Sequence, residues 1–305
     1  MMKSTIKFKV QDDFSKARTQ EFISSMLNIL NPQKQELLNL YEVKDLVKPD
    51  TEEYQGMKAV PISLIIGSEG RYRDFNKHFL PKHDFLRHRW ENIDSAHYKD
   101  VILPPIKLYE IGGLYFVRDG NHRVSVARHQ GAKAIDAEVS ILNTKVTLKP
   151  DFTIEDLRET VIAYEREQFF QCTKLDPKTD LPGIEFSSTG MYDEIFEHIQ
   201  VHKYYINQDR DEEISFKDAA KSWYEHVFVP VREYILNDKV LLRFPGRTCA
   251  DMYIWIMKHW GELKEKYGEE FPLHQAAEDY SSKYGKSIFQ QIKDFLRRIV
   301  FGKPE

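Results

Sequence analysis

The feature that most constrains the fold of this chain is residues 106–139, where extended and helical patterns follow one another in a fixed order. Residues 106–111 and 114–117 are apolar, strand-like runs, and Gly112-Gly113 between them is a two-residue hairpin signal. A short helical pattern begins at about His122 and ends at Gly131, a residue type that tolerates a left-handed C-terminal position. The sequence AIDAEVSIL then predicts a further strand. The order predicts an α+β unit in which a loop opens a helix.

The loop between the second run and the helix carries an unusual density of polar residues and glycine: Asp119, Gly120, Asn121, His122 and Arg123. The N–H groups and the dipole at a helix N-terminus favour an anion, and glycine lets the backbone approach a ligand closely. An arginine can bind phosphate oxygens with two donors, and a histidine can donate to an oxygen or transfer a proton. The carboxylate indicates Mg²⁺ bridging it to a phosphate. The alternative is structural: Asp119 caps the helix and Arg123 pairs with a nearby acid.

The segment VRDGNHRVSVARHQGAKAIDAEV resembles the ParB/sulfiredoxin fold, in which a strand is followed by Gly-x-(His/Arg)-Arg at the start of a helix, and then by another strand. VPISLI stands where that family has its first strand, so the resemblance covers about residues 58–142. Sulfiredoxins have a nucleophilic cysteine directly before the His-Arg pair. Here that position is Asn121, which excludes the reductase activity.

Two branches of the family remain. The free-amino-acid kinases have an Asp-Gly-His-His-Arg motif, which residues 119–123 match except that Asn121 replaces the first histidine. The resemblance implies an upstream glutamate that activates the substrate hydroxyl, and Glu69 in GSEGRYR is the candidate. Arg71 and Arg73 beside it would neutralise phosphate charge. Proteins that resemble ParB instead use a nucleotide as a clamp switch and add a helix-turn-helix that reads DNA.

The resulting hypothesis is a nucleotide-binding protein, expected to act as a Mg²⁺-dependent nucleotide phosphohydrolase or phosphotransferase. The expected ligands are a nucleoside di- or triphosphate (ATP, ADP or CTP) and Mg²⁺ held by Asp119, with an unidentified acceptor or protein partner. The expected catalytic residues are Glu69, Asp119 and His122, and the expected phosphate-binding residues are Gly120, Asn121, His122, Arg123, Arg71 and Arg73. One alternative is a DNA-associated, ParB-like regulator switched by nucleotide; no convincing recognition helix favours it. Another is a helical interaction scaffold with a degenerate site.

Charge supports a local rather than a global anion site. The whole chain has a net charge of −4, which argues against general coating of nucleic acid. Residues 67–90 nevertheless contain six Lys/Arg against three Asp/Glu, and residues 118–133 contain four against one. Each stretch has an excess of +3 (6 − 3 and 4 − 1), and the second contains residues 119–123.

The chain of 305 residues is expected to form more than one domain. We predict an N-terminal helical arm (1–50), a small ParB/sulfiredoxin-like mixed α/β domain (51–150) and a larger all-helical domain (151–305). The arm has a helical pattern over 13–46, interrupted at Asn31-Pro32, and residues 58–65 predict a short strand. The predicted helices of the last domain begin after a Thr153/Asp156 capping box and continue at about 190–206, 215–237, 248–267, 273–283 and 286–300.

Other side chains give weaker signals. His198 and His202 share a helical face, as a zinc pair would, without a third ligand at a diagnostic spacing; a polar face that contacts the other domain is the simpler interpretation. Arg247 precedes a predicted helix capped by Thr248, and one hypothesis places it in the cleft. The C-terminal FLRRIVFGK is basic and amphipathic. The two cysteines, in no metal or redox spacing, predict small core residues, and the absence of an apolar signal or spanning segment predicts a cytoplasmic protein without a membrane partner.

Overall fold

A computed structural model describes residues 2–27, 36–149, 151–208, 210–268 and 272–285. The chain divides into two compact units, Met1–Leu157 and Arg158–Glu305. The elements of the first unit are α1 (Met2–Leu27), β1 (Leu38–Asn39), α2 (Leu40–Val47), β2 (Thr51–Pro61), β3 (Ile65–Ser68), α3 (Arg87–Tyr98), β4 (Ile106–Ile111), β5 (Leu114–Asp119), α4 (Asn121–His129) and β6 (Ala134–Asn143).

The first unit is built on a six-stranded mixed sheet with the order β1-β3-β5-β4-β6-β2. β1, β3 and β5 are parallel, β4 is antiparallel to β5, and β4 is parallel to β6. β2 pairs antiparallel with β6 and forms one edge. The predicted α+β class is therefore confirmed at the level of a mixed sheet with helices.

The local signals of the central unit act as predicted. Gly112 and Gly113 have φ values of +57° and +87°, which a tight hairpin turn between β4 and β5 requires and which β-branched residues rarely adopt. Gly131 follows α4 with a φ of +73° and ends that helix. The predicted hairpin, α4 and β6 are all observed in the expected order.

The core of the first unit lies between the sheet and α4. Val124 of α4 packs among buried residues of the strands, including Ile65, Leu108, Val117 and Val139. A second cluster joins α1 to α3 and α4 through Phe14, Ala17, Trp90 and Val126. The rings of Phe14 and Trp90 meet edge to face, with centroids 5.6 Å apart. The N-terminal helix therefore packs within the first unit.

Several boundaries in the N-terminal part were predicted wrongly. α1 begins at Met2 rather than at residue 13. Its first turns were not predicted, because residues 5–9 are largely exposed and carry no apolar stripe. The apolar residues of α1 are not all buried: Val10, Phe14 and Ala17 are, whereas Phe22 and Met26 are 59% and 57% exposed.

The segment around the second predicted helix also differs. Leu38 lies in β1 rather than in a helix, because the Asn39 side chain accepts a hydrogen bond from the Tyr41 N–H and caps a helix that begins at Leu40. The predicted break at Asn31-Pro32 lies outside the described residues.

The strand predicted at 58–65 is two strands. β2 runs from Thr51 to Pro61, a single 3₁₀ turn covers Ile62–Leu64, and β3 follows at Ile65–Ser68. Helix α3 was not predicted, since only Trp90 and Asp94 of its residues are buried and they give no apolar period. Both differences matter for the site, because β3 and α3 supply parts of it.

The second unit is helical where it is described, as predicted. Its helices are α5 (Ile154–Thr173), α6 (Met191–Asn207), α7 (Phe216–Trp223), α8 (Val229–Asn237), α9 (Cys249–Tyr267) and α10 (Leu273–Tyr284). The capping boxes at Thr153/Asp156 and Thr248/Asp251 are both formed. A π-helical turn, Tyr224–Phe228, directly precedes the helix that begins with Val229 and Pro230. Proline has no backbone N–H, so one hydrogen bond of a regular helix cannot form here. The helix predicted at 286–300 and the FLRRIVFGK segment lie outside the described residues.

The core of the second unit contains an aromatic centre. Trp223, Phe228 and Tyr253 are almost completely buried, and the Tyr253 ring contacts both of the others at centroid distances of 5.5 and 5.3 Å. The prediction that both cysteines are core residues was wrong: Cys172 is exposed on α5 and Cys249 is half-buried. Within the described residues, none of the helices has the length and apolarity that a bilayer crossing requires.

Candidate functional site

The candidate site lies where two neighbouring parallel strands end. β3 ends at Ser68 and β5 ends at Asp119, and Ser68 is paired with Val117 across the two strands. α4 begins at Asn121, directly after Gly120. The carboxyl ends of parallel strands and the start of the following helix are the usual position of ligands in such sheets.

Gly120 is required at this turn for two independent reasons. Its φ is +111°, a conformation that side-chain-bearing residues rarely adopt, and a Cβ atom here would come within 2.4 Å of Cγ2 of Ile106. No side chain caps α4 at Gly120, and its first turn contains no acidic residue. The positive end of the helix is therefore left open toward a ligand.

A cavity of about 310 Å³ lies in front of this helix start. Its walls combine the loop after β3, one face of α3 and the β5–α4 turn. The lining residues are Gly70, Arg71, Arg89, Ile93, Arg118, Asp119, Gly120, Asn121, His122 and Arg123. Four of them are arginines and one is an acid, so the wall is strongly cationic in a chain that is acidic as a whole.

Asn121 and His122 line the cavity with unsatisfied polar atoms. Their side chains are only 7% and 4% exposed, yet Oδ1 of Asn121 and Nδ1 of His122 have no hydrogen-bond partner. Most buried polar atoms in proteins are paired, because an unpaired one costs about 1–3 kcal/mol. Two such atoms lie in adjacent residues of the turn that lines the cavity, which marks this turn as a candidate ligand-binding element.

The imidazole of His122 is neutral at ordinary pH. Burial, assisted by the positive charges of Arg89 and Arg71, lowers its pKa from 6.5 to about 4. Its ring packs edge to face against Phe75, with centroids 5.3 Å apart. A neutral ring donates at one nitrogen and accepts at the other, so His122 contributes hydrogen bonds rather than charge.

Arg123 is largely committed to holding the turn together. Its side chain is 14% exposed and donates to the carbonyl of Pro104, to the carbonyl of Pro105 at 2.9 Å and to Oδ2 of Asp119. These bonds tie the start of β4 to the end of β5. Asp119, half-exposed, is therefore the ion-pair partner of Arg123, which agrees with the part of the structural alternative that pairs Arg123 with a nearby acid. The other part is not observed, because no side chain caps α4; both residues also line the cavity.

The other three arginines differ in whether a carboxylate forms an ion pair with them. Arg71 pairs with Asp74 at 2.9 Å. Arg118 lies over the Tyr109 ring at 5.4 Å, and Arg89 on α3 has no ion pair or hydrogen bond with any described residue. Sequence reasoning did not single out Arg89 or Arg118, although each belongs to one of the two cationic stretches. Arg89 and Ile93 are one helical turn apart on α3, so a helix prediction for this segment would have placed both on the same face.

Glu69 and Arg73 are not among the residues that line the cavity. The Glu69 N–H donates to Val117 O at 2.9 Å, and its carboxylate accepts a hydrogen bond from Tyr41 at 3.4 Å. Arg73 is exposed and lies over the Tyr72 ring. Buried Ser68 accepts a hydrogen bond from the Arg71 N–H at 3.3 Å, which ties the start of this loop to the end of β3.

The wall has the chemistry of an oxyanion site rather than a metal site. Asp119 is the one carboxylate in the lining, and the described residues contain no group of three His, Cys, Asp or Glu side chains suited to a metal ion. Arginines and helix N–H groups match phosphoryl oxygens. The residues present therefore fit a phosphate group, and Asp119 offers a single carboxylate to a cation that accompanies it.

The other sequence candidates have partners within the helical unit. His198 Nδ1 lies 3.1 Å from the Tyr253 hydroxyl, and His202 Nε2 lies 3.0 Å from the Ser222 hydroxyl. Burial lowers the pKa of both imidazoles.

Arg247 is also engaged. It donates to the hydroxyls of Ser187 and Ser188 at 3.0 Å each and lies over the Trp255 ring. These contacts account for Arg247 by packing in its own unit.

No family model, curated protein or solved structure matches the chain, so the resemblance to the ParB/sulfiredoxin fold depends on the residues quoted above.

Proposed function

We propose that the cavity binds the phosphoryl groups of a nucleoside di- or triphosphate. The observation that carries the proposal is the open N-terminus of α4 facing a wall with four arginines, one acid and two buried polar atoms without partners. Arg89 and Arg118 would bind phosphoryl oxygens, because neither is neutralised by a carboxylate of the described residues. The N–H groups at the start of α4 would bind the same phosphate from the other side.

The unsatisfied amide oxygen is compatible with a nucleotide as the ligand. Oδ1 of Asn121 accepts hydrogen bonds and therefore requires a donor. A nucleotide carries such donors, since its sugar and base supply hydroxyl and amino groups. Mg²⁺ would arrive with the phosphates, with Asp119 as the one carboxylate of the wall near it.

Binding is tested by titration calorimetry with ATP, ADP and CTP, each with and without Mg²⁺. Arg89→Ala and Arg118→Ala are each expected to weaken binding by about tenfold or more, since a charge-assisted hydrogen bond contributes about 1.5–3 kcal/mol. Arg73→Ala is the matched control, because it removes the same charge from an exposed side chain outside the wall. No binding by the wild type, or an equal loss in Arg73→Ala, would contradict the proposal.

The chemical step of the proposal, hydrolysis or transfer of the terminal phosphate, assigns the role of base to Glu69. What supports this assignment is position: Glu69 directly follows β3 and precedes Gly70, which lines the cavity. Glu69→Gln is expected to leave nucleotide affinity within about twofold and to reduce phosphate release at least about 100-fold, the usual contribution of general-base catalysis. If the wild type binds nucleotide without turnover, the protein is a nucleotide-responsive binding protein instead.

A further inference from the structure

The two edges of the sheet are very different. β1 forms one edge with only two residues, Leu38–Asn39. β2 forms the other with eleven residues, Thr51–Pro61, and among the described residues only β6 pairs with it. A long edge strand presents a row of unpaired backbone N–H and C=O groups, which readily pair with another strand.

A bulge divides β2 at its middle. The pairing with β6 shifts between Tyr54, opposite Ser140, and Gly56, opposite Val139, so Gln55 is the extra residue. Because an extra residue reverses the alternation of faces, Tyr54 and Met57 lie on the same face of the sheet although three positions separate them. They are 65% and 56% exposed, which is unusual for two large apolar side chains in one short stretch.

The opposite face of β2 carries two unpaired charges. Glu53 lies opposite Ile141 of β6 and Lys58 lies opposite Ala137, which places both on the face that Tyr54 and Met57 do not share. Neither Glu53 nor Lys58 forms an ion pair with a described residue.

This pattern is complementary to itself. In an antiparallel pair of two β2 strands related by a twofold axis between Gln55 and Gly56, Tyr54 of one copy faces Met57 of the other. Glu53 faces Lys58 in the same register, and each contact occurs twice. The two bulges lie opposite each other in this register. Side chains that face each other across the strand pair are therefore on the same face of the joined sheet.

Other registers lose this match. A shift of one residue in either direction brings side chains of opposite faces together, because the bulges no longer coincide. A shift of two residues keeps the faces but places Glu53 opposite Gly56 or Val60, without a countercharge.

We propose that the protein forms a homodimer through antiparallel pairing of β2 with β2, which joins the two sheets into one. The occupant of this edge is a second copy rather than an unrelated peptide, because the charges and apolar residues complement their own sequence. One pair of strands buries less surface than the roughly 1,600 Å² of a standard interface, so the dimer is expected to be weak and concentration-dependent.

Charge reversal tests the proposal on the full chain, with the association state measured by sedimentation velocity over a range of concentrations. Glu53→Lys and Lys58→Glu are each expected to weaken dimerisation by about tenfold or more, because two attractive cross-strand pairs become two repulsive ones. The double variant Glu53→Lys/Lys58→Glu is expected to restore it. Circular dichroism and melting temperature establish that each variant is folded.

Glu52→Lys is the matched control. It makes the same charge change one position away, at a residue that would face Ala59 in the partner, and it is expected to change dimerisation by less than about threefold. A wild type that remains monomeric at all concentrations would overturn the proposal. An equal loss in Glu52→Lys, or failure of the double variant to recover, would overturn it as well.

Discussion

Gly120 and His122 of the β5–α4 turn are under unusual constraint, and both line the cavity. Gly120 combines a positive φ with close contact to Ile106. His122 is buried in neutral form with an unpaired ring nitrogen beside two arginines. Each arrangement opposes stability, and each orients donors or acceptors toward the cavity.

Gly120→Ala is expected to reduce the free energy of unfolding by about 2–4 kcal/mol and to abolish nucleotide binding. The positive φ and the clash with Ile106 both contribute. Gly113→Ala provides the control, because Gly113 also has a positive φ, +87°, but has open space around it. It is expected to cost only about 1 kcal/mol and to leave binding intact, as measured by urea unfolding and calorimetry.

His122 predicts a specific dependence of stability on pH. Its pKa is lowered from 6.5 to about 4, so the unfolded chain binds more protons than the folded one between these pH values. The contribution of His122 is complete above pH 6.5 and is lost as the pH falls toward 4, by about 2–3 kcal/mol.

The measurement is urea unfolding of the wild type and of His122→Phe at a series of pH values. The half-buried His198 and His202 have lowered pKa values too, but their effect is common to both proteins. The difference between the two stability curves therefore isolates His122. Parallel curves from pH 7 to pH 4 would show that this imidazole titrates normally.

At the scale of elements, the parts that sequence predicts are those with local signals. The β4–β5 hairpin follows from Gly112-Gly113, and the end of α4 follows from Gly131. Helix α3 has no such signal, since only Trp90 and Asp94 of its residues are buried. Arg89 lies on α3, so it was not singled out when this helix was not predicted. The other residues that line the cavity are distant from Arg89 in the sequence, and only the fold brings them together.

The helical unit depends on one buried polar cluster between its elements. The Tyr253 hydroxyl of α9 accepts a hydrogen bond from Trp223 Nε1 of α7 at 3.1 Å and lies 3.1 Å from His198 Nδ1 of α6. Burial raises the pKa of this hydroxyl far above its usual range, so it stays protonated. His198 thus has a partner in this cluster, whereas His202 has a separate one in the Ser222 hydroxyl.

Tyr253→Phe is expected to reduce the stability of the helical unit by about 1–3 kcal/mol, because it leaves the Trp223 N–H without a partner in the core. Unfolding by urea, followed by tryptophan fluorescence, measures this change. Tyr205→Phe on α6 is the control, since that side chain is 63% exposed, and it is expected to change stability by less than about 0.5 kcal/mol. Equal effects of the two substitutions would remove the proposed role of the cluster.

At the scale of the whole molecule, charge is distributed unevenly. The chain is acidic in sum, yet the cavity in the first unit gathers four arginines around one carboxylate. The sequence indicated this excess in two separate stretches, and it placed the helix start within the second of them. It left open whether Arg123 would pair with a nearby acid, and the structure shows that this acid is Asp119, four residues earlier. The bonds from Arg123 to Pro104 and Pro105 could not be read from the sequence, because they depend on the start of β4 lying beside the end of β5.

The central claim is that the start of α4 binds phosphoryl oxygens, and NMR of the backbone amides tests it most directly. Titration of the wild type with the best-binding nucleotide from calorimetry is expected to give saturable shifts of the Gly120, Asn121, His122 and Arg123 amides, with smaller shifts at Gly70 and Arg71. Arg89→Ala is expected to require about tenfold more ligand for the same shifts. Saturable binding that leaves the amides of residues 120–123 unchanged, or no binding, would contradict the claim.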